Sequence, residues 1–170
     1  MKHTVCKVVA IVSILSLLSG LFGYGGNKKY TVDDIVFIHT VYYGMESNPV
    51  YSFAMRKEED NWVFSADCLV GSNNEHYASF ASFPITVEDA QGFLQIVRED
   101  GEIERLFKYR NPICIFDISD APVRSFGMTF SDGISVEKET RPGDRGLDYL
   151  YALADRYYEE AESSEDTPTD

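Results

Sequence analysis

Histidine and cysteine are scarce in this chain, with three of each among 170 residues. No C-x-x-C and no H-x-x-x-H spacing occurs, so the pairings that build zinc sites are missing. H-E-x-x-H, G-x-S-x-G, a Gly-rich phosphate loop and an EF-hand loop are absent too. A Cys–His nucleophile would have to come from Cys68 or Cys114 with His39 or His76, and no spacing supports one. The sequence therefore implies neither a metal nor a cofactor. Basic residues are few as well: 15 Lys and Arg stand against 28 Asp and Glu, a net charge of −13. Such a surface repels phosphate backbones and anionic headgroups, which argues against nucleic acid as a partner.

Only one long apolar run exists, Val8 to Phe22, preceded by Lys2, His3 and Lys7 and followed by Gly23-Tyr24-Gly25-Gly26. It is short for a spanning helix, which needs about 20 apolar residues. The pattern is that of a secretory signal peptide with cleavage after Gly25, an uncleaved N-terminal anchor being the alternative. Membrane contact is expected only through that segment. Loss of residues 1–25 removes Lys2 and Lys7 and no acid, leaving 13 basic against 28 acidic residues, net −15. Cys68 and Cys114 would then enter an oxidising compartment, where a disulfide would stabilise by about 4 kcal/mol on the chain-entropy model. Two buried free thiols are the other reading.

What the chain has in quantity is apolar and aromatic side chains, 44% and 14% of residues, enough for one core. We read residues 26–34 as a linker, 35–160 as a single domain and 161–170 as a disordered acidic tail. Ile35 to Tyr43 reads as a strand with much of both faces covered. Val50 to Lys57 and Trp62 to Cys68 alternate. A tight turn at Glu59-Asp60 would pair Met55 with Phe64, Phe53 with Ala66 and Tyr51 with Cys68. Tyr77 to Phe83 reads as a further strand. Thr86-Val-Glu-Asp89 resembles a capping box, with Val87, Ala90, Phe93, Leu94 and Val97 at helical spacing and Gly101 as the stop. Gly92 within that helix should cost about 1 kcal/mol against alanine. Glu102 to Tyr109 fits a strand or a helix, and Ile113 to Ile118 a buried strand.

Phe126, Met128 and Phe130 alternate into Asp132-Gly133. A two-residue loop there would oppose each apolar residue to a hydroxyl. A three-residue loop with Gly133 left-handed pairs Phe130 with Ile134 and Met128 with Val136, placing all four on one face. The last helix carries Leu147, Leu150, Leu153, Ala154 and Tyr157 as one stripe, expected to lie over that hairpin face. The fold expected is α+β: an antiparallel sheet of five to seven strands with two helices on one face.

Acidic neighbours such as Asp117 and Asp120 are of the type used in calcium sites and glycosidase pairs, but turn capping is the preferred reading. Among many tyrosines, including Tyr42, Tyr43, Tyr51 and Tyr77, the pair Tyr151 and Tyr158 lies seven apart beside the apolar stripe. It is the candidate for an exposed binding patch. Arg141 and Arg145 form the one locally basic spot, which either balances neighbouring carboxylates or holds an anionic group.

Tyr51-Ser-Phe53, Arg56-Lys-Glu-Glu-Asp60, Trp62-Val-Phe64-Ser-Ala-Asp67, Thr86-Val-Glu-Asp-Ala90, Phe130-Ser-Asp-Gly133 and Leu150…Leu153…Tyr157 resemble a group of small exported proteins of Gram-positive gut bacteria. The resemblance spans Tyr30 to Glu160 and rests on fold-making residues. It implies a compact α+β domain outside the membrane and carries over no catalytic residue. Together these readings favour an exported, non-catalytic binding module, secreted or held on the outer membrane face, whose partner is a protein or a cell-wall component. A cell-envelope hydrolase and an acidic immunity or inhibitor protein are the alternatives. A deep pocket with convergent Asp, His or Arg would favour an enzyme; a tyrosine-rich patch would favour binding.

Overall fold

The computed structural model describes residues 28–44, 49–71, 76–111 and 123–165. The N-terminal apolar run, Cys114, Asp117, Asp120 and the Ile113–Ile118 strand lie outside them, so the disulfide expected between Cys68 and Cys114 does too. Six strands form one antiparallel sheet: β1 (Ile35–Tyr43), β2 (Pro49–Glu58), β3 (Asn61–Val70), β4 (His76–Ile85), β5 (Val123–Phe130) and β6 (Ser135–Lys138). Their order across the sheet is β4-β3-β2-β1-β5-β6. Three helices accompany it, α1 (Val87–Glu99), α2 (Glu102–Lys108) and α3 (Asp144–Glu165). The second, α2, is the ambiguous stretch after Gly101, where Ile103 and Leu106 are buried at helical spacing.

Both hairpin registers follow from alternation. Tyr51 pairs with Cys68, Phe53 with Ala66 and Met55 with Phe64, and Glu59 turns the chain at φ +53°. In the second hairpin Met128 pairs with Val136, the Phe130 N–H donates to the Ile134 carbonyl at 2.8 Å, and Gly133 is left-handed at φ +84°. Phe126, Met128 and Phe130 are buried, but Ile134 at the sheet edge is 43% exposed. The helix that follows does not cover this hairpin as expected. Arg105 donates to the Arg141 carbonyl at 2.5 Å and the Gly143 N–H donates to the buried Glu102 carboxylate at 2.6 Å. Those bonds start α3 beside α2 and send it across to β3 and β4. The hairpin is covered instead by Tyr30, stacked 4.1 Å from Phe130, and by Phe107 and Arg105 of α2. The segment read as a linker is thus part of the body. Val32 is buried in a 3-10 turn, Val32–Asp34, and Lys28 pairs with Asp132 at 2.6 Å.

The helices and one sheet face share a single core. A bulge keeps β4 turned to it: Ser82 adopts φ +54° and donates its N–H to Ser65 Oγ, so Phe80 and Phe83 both pack inward. At Thr86 the expected cap forms, its hydroxyl accepting the Asp89 N–H at 3.1 Å. Gly92 has a packing role. A Cβ there would stand 2.3 Å from the Tyr149 hydroxyl, which crosses α1 to donate to the Asp89 carbonyl at 3.1 Å.

Candidate functional site

Arg141 and Arg145 are both engaged with carboxylates. Arg145 bridges Glu99 at 2.8 Å and Asp100 at 2.7 Å, tying the start of α3 to the end of α1. Arg141 pairs with Asp144 at 2.7 Å. Tyr151 and Tyr158 are half-buried. Tyr151 lies edge-on to Phe53 at 5.0 Å and to Tyr51 at 5.9 Å, and burial pushes its hydroxyl up to about 12. Tyr158 stacks on His76 at 5.5 Å. The four residues singled out by sequence therefore do not form one site.

Of the nucleophile candidates, Cys114 lies outside the described residues and Cys68 is not activated. Cys68 is fully buried, and burial, with smaller contributions from Asp67 and Asp155, pushes its thiol up to about 12, so the reactive thiolate is suppressed. His39 stands on the opposite sheet face, its ring over Gly127 and its Nε2 3.5 Å from Glu137. Glu137 also accepts from Ser125, and that bond holds its carboxyl below the usual range. Among the described residues no group of three His, Cys, Asp or Glu could hold a metal ion, and no helix is long and apolar enough to cross a membrane.

The sheet register gathers something else. Seven large apolar residues are exposed among the described ones, and five of them lie at one end of the sheet. Tyr77 pairs with Leu69, Val50 adjoins the Tyr51–Cys68 pair, and Tyr43 pairs with Val123. The result is an apolar band crossing β4, β3, β2, β1 and β5 in turn, each member between 42% and 55% exposed. Strand alternation sets these side chains opposite their buried neighbours Tyr51, Cys68 and Ala78, and at the strand ends Val50 and Leu69 also line the opening beside α3. Tyr77 sits beside Asp67, and the hydrogen bond to that carboxylate, followed by desolvation, pushes the phenol up to about 12. It therefore stays a neutral donor at physiological pH.

Where the band meets α3, a cleft of about 620 Å³ opens. Val50, Leu69 and Val70 form one wall. The other is a single stripe of α3, Asp148, Tyr151, Ala152 and Asp155, spaced i, i+3, i+4 and i+7. Asp155 accepts the Gly71 N–H at 2.9 Å and so fixes the end of β3 to the helix. Both carboxylates are exposed. Among the described residues neither has a basic partner, whereas Asp89, Glu99, Asp100, Glu102, Asp132 and Asp144 each have one. Sequence reading marked Tyr43 and Tyr77 only as members of a surplus, and Tyr151 as one half of a patch with Tyr158 rather than with the sheet end. Asp148 and Asp155 were hidden among 28 acids, although their seven-residue spacing flanking Tyr151 was visible. Comparison with protein-family models, curated proteins and solved structures found no match.

Proposed function

We propose that this protein is an exported, non-catalytic interaction module that binds a partner protein through the end of its sheet. The observation that carries this reading is the apolar band of Tyr77, Leu69, Val50, Tyr43 and Val123, opening into the cleft beside α3. Contiguous exposed apolar surface is costly to keep in water and marks surfaces that are covered in use. Its two tyrosines, Tyr77 and Tyr43, suit an interface, since each offers a large rigid face and a hydroxyl. Export rests on the basic, apolar, small-residue order of residues 1–26.

The envelope-hydrolase reading is the weaker one. Among the described residues Asp148 and Asp155 are the only carboxylates lining the cleft, and seven helical residues separate them by about 10.5 Å along the axis. Paired glycosidase carboxylates work at about 5–9.5 Å. Asp155 is also committed to the Gly71 N–H. The test is to incubate the purified full chain with cell walls and surface proteins of its producing cells, after mass spectrometry of its mature N-terminus. Saturable, stoichiometric complex formation without released fragments is expected. Release of soluble fragments by substoichiometric protein would overturn the reading.

A further inference from the structure

From the cleft's charge we infer that it seats a lysine or arginine side chain of a basic partner protein, between Asp148 and Asp155. The inference rests on the binding reading above and names the chemistry of the partner. Three observations meet here. The cleft volume, about 620 Å³, is in the range that takes a small ligand and exceeds one side chain, leaving room for flanking apolar residues. Its lining is largely apolar: Val50, Leu69 and Val70 on one side and Tyr151 and Ala152 on the other suit the methylene stem of a long cationic side chain. Its two carboxylates lack basic partners among the described residues, in a protein that pairs so many of its other acids.

The basic groups described nearest the cleft are engaged elsewhere, Arg141 with Asp144, Arg124 over the Tyr42 ring and His76 against Tyr158, while the acids around it add to the negative potential. Asp67 lies two residues before Leu69 on the same strand, beside Tyr77, and the chain as a whole carries −13. A cation entering from water therefore gains attraction from both rim carboxylates, strengthened by the low-dielectric apolar wall. An anion meets repulsion there. A purely apolar side chain would fill the cleft yet leave both carboxylates facing its rim without a counter-charge. The adjoining band would then cover apolar residues next to the partner's basic one, making the motif basic with apolar flanks.

The test uses the isotope-labelled full chain and three probes: acetyl-Leu-Lys-Leu methylamide, its norleucine analogue, and free 1,5-diaminopentane. The lysine peptide should move the amide signals of Leu69, Val70, Gly71 and Ala152. It should bind at least tenfold more tightly than either other probe and weaken severalfold as salt rises. Asp148→Asn with Asp155→Asn should raise its Kd at least tenfold while amide signals outside the cleft stay in place. Ala152→Leu, which keeps both charges and fills the cleft, should abolish binding. Equal affinity for the norleucine peptide, or no change in the double variant, would overturn cation recognition while leaving a binding cleft. Equal affinity for the free diamine would overturn a protein source for the cation. Absence of shifts at the cleft with every probe overturns the inference. Failure of the broader reading looks different, as fragments released from envelope material.

Discussion

The two sides of α3 treat carboxylates in opposite ways. On the side facing α1, Asp89 is 7% exposed and almost fully satisfied. Thr86 and Tyr157 donate hydroxyls to it and Arg156 supplies a guanidinium, while Tyr149 bonds its carbonyl. On the side facing the sheet end, Asp148 and Asp155 are exposed and lack basic partners among the described residues. One helix thus carries a structural face, where charge is neutralised to hold two helices together, and a face where charge is left available. A buried carboxylate must be paired to be tolerated. An exposed one carries no such penalty, and Asp148 and Asp155 have no basic partner among the described residues, although one Asp155 oxygen accepts the Gly71 N–H.

That contrast can be broken by mutation, and the largest effect belongs to Asp89. Asp89→Asn keeps the shape but weakens the bonds from Arg156 and Tyr157, and should lower unfolding free energy by about 2–3 kcal/mol in urea titration. Leu and Phe neighbours in the core would not explain such a loss, so a change within 0.5 kcal/mol would show the clamp to be idle. The pH dependence should follow the same group. Burial alone would raise the Asp89 pKa, but hydrogen bonds from Tyr157, Thr86 and Arg156 outweigh it and hold the carboxyl below its ordinary value. Its folded pKa is therefore depressed. The associated stability is present above the unfolded value, near pH 4, and is lost as pH falls through the folded one. Thermal unfolding from pH 6 down to pH 2 should show that acid limb in the parent and a flatter one in Asp89→Asn.

A smaller effect is expected at Gly92. Helix propensity alone favours alanine by about 1 kcal/mol. The added methyl would displace Tyr149 from the Asp89 carbonyl, so Gly92→Ala should instead destabilise by roughly 1–2 kcal/mol. A stabilised variant would show that Tyr149 moves aside freely. Smallest of all, Asp148→Asn should leave stability within about 0.5 kcal/mol, as for an exposed site with no structural partner.

Much of the fold was legible because it is written locally. The β2–β3 register follows from Tyr51, Phe53 and Met55 facing Cys68, Ala66 and Phe64. The bulged turn at Gly133 follows from requiring Met128 and Val136 to share a face. What escaped was long-range. Nothing near Leu147 says that Glu102 and Arg105, some 40 residues earlier, will redirect α3 away from the hairpin. The extra residue at Ser82 is equally silent, because one left-handed serine leaves no pattern in the sequence. The candidate site was the least legible part. Tyr77, Leu69, Val50, Tyr43 and Val123 are scattered over 81 residues and become neighbours only through the strand order.

The division of α3 into a clamping side and an available side is tested most directly by running two variants in parallel through thermal unfolding and titration with the lysine tripeptide. Asp89→Asn should lower Tm by roughly 10 °C and leave the Kd of the peptide within about twofold. The Asp148→Asn, Asp155→Asn variant should keep Tm within about 3 °C and lose peptide affinity at least tenfold. A double variant that melts as early as Asp89→Asn while binding like the parent would contradict the account.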